Sequence, residues 1–386
     1  MTETHERTAE VPPPSVDSPG TPESREPVGS LESLALIVGA IAFVGGAVVE
    51  MIVHWGRSLE ISGRGSLGDF VAIGGAVVGA LAFVAGRISV RRGRAARIAA
   101  DELVAPGARL HWFDVAALAI AHGLIALLGW IGAASVVERS FQGAVVYPLP
   151  AAALAGVALA VTAYVSFLSA VRMTPMLLSL VLAVFLVVGA FASMLSSSDP
   201  LWWQKNLSSL GITNDVSALA FNLTLIVAGL IVTIVARYAT AGLPATTRQE
   251  VRGRTIVRYG LVIIGIFLAC VGIFPVSEYF LLHNTVATGM AVAYAVLVIG
   301  LPWFVPTMPR VFVGLGYVYV GVIVVLAIFF ATGYYNLTAV ELVAAVLIFS
   351  WIIVFLRYAG SVARPESAGM RTGPDAAASD PVAAIR

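Results

Sequence analysis

Charged residues are scarce in this sequence, since only 12% of its 386 residues are Asp, Glu, Lys or Arg, whereas 59% are hydrophobic. A water-soluble globular domain carries about a quarter charged residues, so this composition excludes a soluble fold for most of the chain. Apolar runs long enough for a helical span, about 18 residues or more, recur from Leu34 almost to Arg357. The sequence therefore predicts an all-α, polytopic transmembrane helix bundle.

Alternation of polar and apolar residues, the pattern of transmembrane β-strands, is also missing, which argues against a β-barrel. Cys270 is the only cysteine, so an intrachain disulfide and a cysteine-based metal cluster are excluded. His54 and His283 with Glu50 or Glu278 could supply the three protein ligands that zinc chemistry needs. No spacing motif supports such a site, and we predict neither a metal nor another cofactor.

The apolar runs divide the chain into four parts. Residues 1–30 and 360–386 are rich in small and polar residues and in proline, and they are predicted to be disordered tails. The first four helices form a predicted four-helix transmembrane module over 31–172, and the last six form a six-helix module over 173–359. The ten predicted helices are 33–53, 68–89, 113–136, 144–170, 175–195, 216–236, 257–275, 284–305, 311–333 and 338–357.

Basic residues are divided unevenly between alternate loops. Cytoplasmic loops of membrane proteins carry an excess of Lys and Arg. With the N-terminus inside, 19 of the 23 basic residues fall on the cytoplasmic side, and the outer side keeps Arg57, Arg64, Arg139 and Lys205. We therefore predict a multi-pass protein of the cell membrane with both termini cytoplasmic.

Arginine runs in the 87–112 and 237–257 loops are the densest part of this charge. They are explained best as determinants of topology, although arginines could also recognise anionic lipid head groups. No aromatic interleaving or nucleic-acid motif accompanies them, so nucleic acid is not a predicted partner.

Polar residues near the membrane crowd the predicted outer face, in the 196–215 and 276–283 connections and at the ends of helices one and ten. Ionisable groups at such depth are costly, and they tend to mark functional sites or to pair with one another. Each also has a structural alternative, such as an interfacial anchor for Trp203 or a turn at Asp199. Glu341 with Asn336 before it, and Glu50 with His54, stand on the same side. The candidate ligand-binding residues are His283, Glu278, Asp199, Trp203, Lys205, Asn206, Ser208 and Asn284.

Two short motifs give a family resemblance. Ser208-Ser209-Leu210-Gly211 is followed by Asn222 in an apolar helix, and Gly272-Ile273-Phe274-Pro275 is followed by His283. Over about 173–357 the chain resembles the bacterial and archaeal membrane family known as domain of unknown function nine-nine-eight. That family has a Ser-(Asp/Glu)-Leu-Gly loop and a Gly-x-Phe-Pro…His signature, and Ser209 here replaces the acidic residue. The resemblance implies a six-helix membrane fold and brings no established activity with it.

Three functions stay open on the sequence. The leading hypothesis is a non-enzymatic protein whose outer-face polar pocket, centred on His283, binds a lipid head group or other polar small molecule. The runner-up is a membrane-embedded lipid hydrolase or transferase, with His283 as general base or metal ligand beside Glu278 and Asp199. The third is a scaffold for partner membrane proteins. Membrane lipids are the predicted partners, and the oligomeric state does not follow from the sequence.

The predicted orientation can be tested with single cysteines placed at Arg94, Arg252 and Lys205. In intact cells, an impermeant thiol reagent is expected to label the cysteine at 205 and to leave those at 94 and 252 unlabelled until the cells are permeabilised. Labelling at 94 without permeabilisation would overturn the orientation.

Overall fold

The computed structural model describes residues 28–99, 111–212, 216–241, 243 and 245–362. The two predicted disordered tails lie outside these residues, except for 28–30 and 360–362, which continue the first and last helices. Arg109, in one of the arginine-rich loops, also lies outside them.

Within the described residues, ten α-helices are each long and apolar enough to cross a membrane. This confirms the predicted all-α architecture of about ten spans and gives a multi-pass membrane protein. The helices are α1 (Val28–Val53), α2 (Leu67–Ala99), α3 (Trp112–Ser140), α4 (Pro148–Val171), α5 (Pro175–Leu195), α6 (Val216–Ala241), α7 (Arg248–Ile273), α8 (Phe280–Phe304), α9 (Arg310–Ala331) and α10 (Leu337–Val362).

Several helices begin elsewhere than the hydropathy pattern predicts, because local capping decides their ends. α4 begins at Pro148 rather than at 144, since proline has no N–H to lose in the first turn of a helix. α7 begins at Arg248 rather than at 257, because Thr247 and Glu250 form a capping box. α8 begins at Phe280 rather than at 284, which puts His283 inside its first turn.

Short elements identify one end of the bundle. β1 (Leu59–Glu60), between α1 and α2, pairs antiparallel with β2 (Val145–Val146), between α3 and α4. Two 3₁₀ helices lie between α5 and α6, the first at Trp202–Gln204 and the second at Leu207–Gly211. We call the end that holds these elements the polar end and the opposite end the arginine end. The polar end is the one that the sequence predicts to face outwards.

Helix contacts join a four-helix group to a six-helix group. α4 packs against α1 and α2, and α2 also packs against α3, whereas α5 to α10 pack in sequence with α10 returning to α5 and α6. α3 connects the groups, since it packs on α5 and α6. Phe83 of α2 and Leu118 of α3 belong to the same buried core as Ile231 of α6 and Trp351 of α10. The division into two modules stays a prediction.

A buried carboxylate ties α3 to α6 near the arginine end. Asp114, which is only 2% exposed, accepts hydrogen bonds from Arg237 Nη2 and from the Tyr238 hydroxyl, both at 2.6 Å. It also accepts the backbone N–H of His111 at the start of α3. Because a buried charge needs a partner, this cluster fixes the four-helix group against the most deeply buried part of the six-helix group.

Candidate functional site

The residues from 199 to 212, which we call the cap segment, lie across the polar end of the six-helix group. Asp199 begins the segment by accepting the Leu201 N–H at 2.9 Å and the Lys205 ammonium at 2.8 Å. The Lys205 hydrogen bond, helped by that of Leu201, holds the pKa of Asp199 below its ordinary value. The pair therefore contributes stability above the unfolded-state pKa and loses it as the pH falls through the lowered value.

Two side chains from the start of α10 hold the cap segment. The Glu341 carboxylate accepts the N–H of Leu207 at 2.6 Å. This N–H group belongs to the first residue of the second 3₁₀ helix, where no backbone acceptor within the helix is available. The Asn336 amide donates to the Trp203 carbonyl oxygen at 3.0 Å, and its own oxygen accepts the Ala339 N–H. α10 thus supplies the cap that the short helix needs.

His283 joins α8 to the cap segment. Its Nδ1 lies 2.7 Å from the Phe274 carbonyl oxygen and its Nε2 lies 3.0 Å from Ser208 Oγ. A carbonyl only accepts hydrogen bonds, so Nδ1 carries the proton, and in the neutral ring Nε2 accepts from the Ser208 hydroxyl. Both His283 and Ser208 are buried, with 3% and 8% of their surface exposed.

Residues that carry the family resemblance converge on this point. Asn222 of α6 donates to the Gly211 carbonyl oxygen at 3.1 Å. A Cβ at Gly211 would come within 2.5 Å of Asn222 Oδ1, and a Cβ at Gly272 within 2.6 Å of the Asn222 carbonyl oxygen. Gly272 is therefore required by close approach to the backbone of α6, and a Cβ at Gly211 would displace the Asn222 side chain. Both glycines lie next to the contact between Ser208 and His283.

The predicted ligand-binding residues fall into three sets. The first set belongs to the hydrogen-bond network of the cap segment and consists of Ser208, Asn206, Trp203 and His283. The two connections therefore meet as expected. A ligand-binding role for these residues stays a prediction. Asp199 and Lys205 are occupied with each other. The remaining two do not join the network, because Asn284 donates to Phe280 of its own helix, and the exposed Glu278 side chain has no hydrogen bond or ion pair among the described residues.

Sequence reasoning placed Glu341 at this end, but it selected neither Glu341 nor Thr338 as a binding residue. The spacing of three between them puts both side chains on one face of α10, and that spacing is the signal that could have found them. Thr338 Oγ1 and Asn206 Oδ1 are buried and have no hydrogen-bond partner in the described part of the chain.

A second buried polar pair stands at the same end, in the four-helix group. Glu50 is 1% exposed, and the Nδ1 atom of His54 lies 3.5 Å from its Oε1. Neither carboxylate oxygen of Glu50 has a hydrogen-bond partner among the described residues. Among all the residues that the structure describes, no three His, Cys, Asp or Glu side chains are grouped so that they could hold a metal ion.

Comparisons with known proteins found no relative of this chain. No family model matches the chain, and no curated protein or solved structure matches it either. The resemblance to family nine-nine-eight stays a prediction that rests on the two short motifs. The geometry of the polar end is therefore the basis for any functional argument.

Proposed function

We propose that this multi-pass membrane protein binds a lipid head group or other polar small molecule at its polar end, beside the start of the second 3₁₀ helix. The observation that carries the proposal is the pair of buried oxygens, Asn206 Oδ1 and Thr338 Oγ1, that the described protein leaves without a hydrogen bond. Leaving a buried polar atom unsatisfied costs about 1–3 kcal/mol. A ligand that bonds to both atoms would recover that cost.

The chemistry of the surrounding side chains narrows the ligand class. Thr338 lies one helical turn before Glu341, and Asn206 directly precedes Leu207, whose N–H Glu341 accepts. The amide oxygen and the carboxylate are acceptors, and the hydroxyl can also accept. The proposed ligand therefore presents N–H donors, as the ammonium of an ethanolamine head group does.

His283 takes a positioning role in this proposal. Its two ring nitrogens are engaged by Phe274 and Ser208, which leaves neither for a ligand in this arrangement. It holds the second 3₁₀ helix in place while Glu341 and the unpartnered oxygens face the bound group.

Replacing Thr338 with valine tests the binding site with little disturbance of the fold. Valine has nearly the same shape and removes only a hydroxyl that bonds to nothing in the described protein, so the melting temperature should stay close to that of the wild type. Retention of phosphatidylethanolamine by the purified full-length protein, measured by mass spectrometry of co-purified lipid, is expected to fall about tenfold or more, as for the loss of one hydrogen bond to a charged group.

Thr285→Val is the matched control, because Thr285 is exposed on α8 and bonds only to the Leu281 carbonyl oxygen of its own helix. It should retain lipid as the wild type does. Equal retention by wild type and Thr338→Val would contradict the proposal, and it would assign the two oxygens to ordered water.

One observation favours a second candidate function, a membrane-embedded hydrolase or transferase. Ser208, His283 and the Phe274 carbonyl oxygen form a chain of hydroxyl, base and orienting acceptor with hydrogen-bond distances of 3.0 and 2.7 Å, which is the arrangement that activates a serine nucleophile. It stands second because a neighbouring N–H group is already used. The Asn206 carbonyl accepts the N–H of Ser209, so this group is not free to stabilise an oxyanion.

A fluorophosphonate probe distinguishes this second candidate, because it reacts with a serine that a histidine has activated. An enzyme should be labelled at Ser208 in the purified full-length protein, with labelling lost in Ser208→Ala and unchanged in Ser209→Ala. We expect no labelling of the wild type if the polar end only binds its ligand, and that result would exclude an activated serine at this position.

A further inference from the structure

A lateral groove separates α4 from α5, and α3 and α10 form its other walls. It consists of two adjoining cavities of about 430 and 490 Å³ that share Val165, Ser169, Leu177 and Leu180. Each volume lies within the range of about 300–1,000 Å³ that small-molecule sites occupy. The groove lies where the four-helix group meets the six-helix group, away from the cap segment.

The walls of the groove are apolar and face outwards from the bundle. Val161, Val165, Leu180 and Val184 line it, and each is at least 40% exposed, so the groove is open to the side where lipid chains lie. From Val161 to Arg172, α4 rises about 17 Å at 1.5 Å per residue. That length is about half of the ~30 Å hydrocarbon core and matches the acyl region of one leaflet.

Two arginines line the groove at the arginine end. Arg172 follows α4 and forms an ion pair with Glu32 of α1, whereas Arg357 of α10 is exposed and has no hydrogen bond or ion pair among the described residues. Only one of the two guanidinium groups is paired with a carboxylate among the described residues, which leaves the mouth positively charged. Arginine binds phosphate oxygens through paired N–H donors.

We propose that this groove holds one anionic phospholipid, with an acyl chain along α4 and α5 and its phosphate at Arg357 and Arg172. The apolar walls match the chain, and the surplus positive charge at the mouth matches an anionic head group rather than a zwitterionic one. The predicted orientation puts the arginine end in the cytoplasmic leaflet, where anionic lipids attract basic residues. This site is separate from the polar end and does not depend on the function proposed there.

Native mass spectrometry of the full-length protein, with phosphatidylglycerol and phosphatidylcholine as probes, tests this site. Arg357→Gln is expected to bind phosphatidylglycerol about fivefold more weakly, as for the loss of one lipid-facing arginine, with little change for phosphatidylcholine. Arg310→Gln is the matched control, because Arg310 is exposed at the start of α9 and does not line the groove.

A second variant tests the groove itself. Ala183→Phe places a ring in the cavity beside Arg357, and it should displace the bound phosphatidylglycerol while the protein keeps its melting temperature within a few degrees. Equal losses for Arg357→Gln and Arg310→Gln would show general attraction of anionic lipid and overturn the proposal. Undiminished phosphatidylglycerol binding in a folded Ala183→Phe would also overturn it, because the lipid would then lie elsewhere.

Inorganic phosphate at millimolar concentration should not compete with phosphatidylglycerol for the groove, since the acyl chain contributes most of the binding. Full competition by phosphate would overturn the proposal and assign the site to free phosphate.

Discussion

The Glu341 carboxylate accepts the N–H group of Leu207, and the arrangement of the polar end depends on this interaction. At the border of a membrane, backbone groups that do not belong to a long helix must find partners within the protein. The second 3₁₀ helix is too short to satisfy its own first N–H groups, and α10 supplies the acceptor. Once the cap segment is fixed in this way, Ser208 reaches His283 and Gly211 reaches Asn222.

The two ends of the bundle offer different chemistry. At the polar end, acceptor oxygens are preorganised by a network of hydrogen bonds, which suits a small group with N–H donors. Near the arginine end, an apolar groove opens sideways below two guanidinium groups, which suits a lipid chain and a phosphate. Asp114, bound by Arg237 and Tyr238, lies in the contact between the helix groups that leaves this groove between α4 and α5.

The sequence was sufficient for the membrane architecture, because hydropathy over about 20 residues depends on composition alone. It was less reliable at helix ends, where a capping box at Thr247 or a proline at 148 decides the start. The meeting of the 199–211 and 275–284 connections was expected from their common membrane level, but the particular contact between Ser208 and His283 was not. The role of Glu341 as a cap could not be predicted, since residues 134 positions apart in the chain must meet for it to appear. The groove could not be predicted for the same reason, because it depends on how helices far apart in the sequence pack together.

Hydrogen–deuterium exchange of the cap segment tests the central claim most directly. In the wild type, peptides that cover 202–212 should exchange slowly, and Glu341→Ala should speed their exchange by about tenfold or more, as expected for the loss of a hydrogen bond to a charged group. Glu278→Gln, at the same end but with no side-chain hydrogen bond or ion pair in the described part of the chain, should leave exchange unchanged. Fast exchange of this segment in the wild type, or no response to Glu341→Ala, would contradict the account.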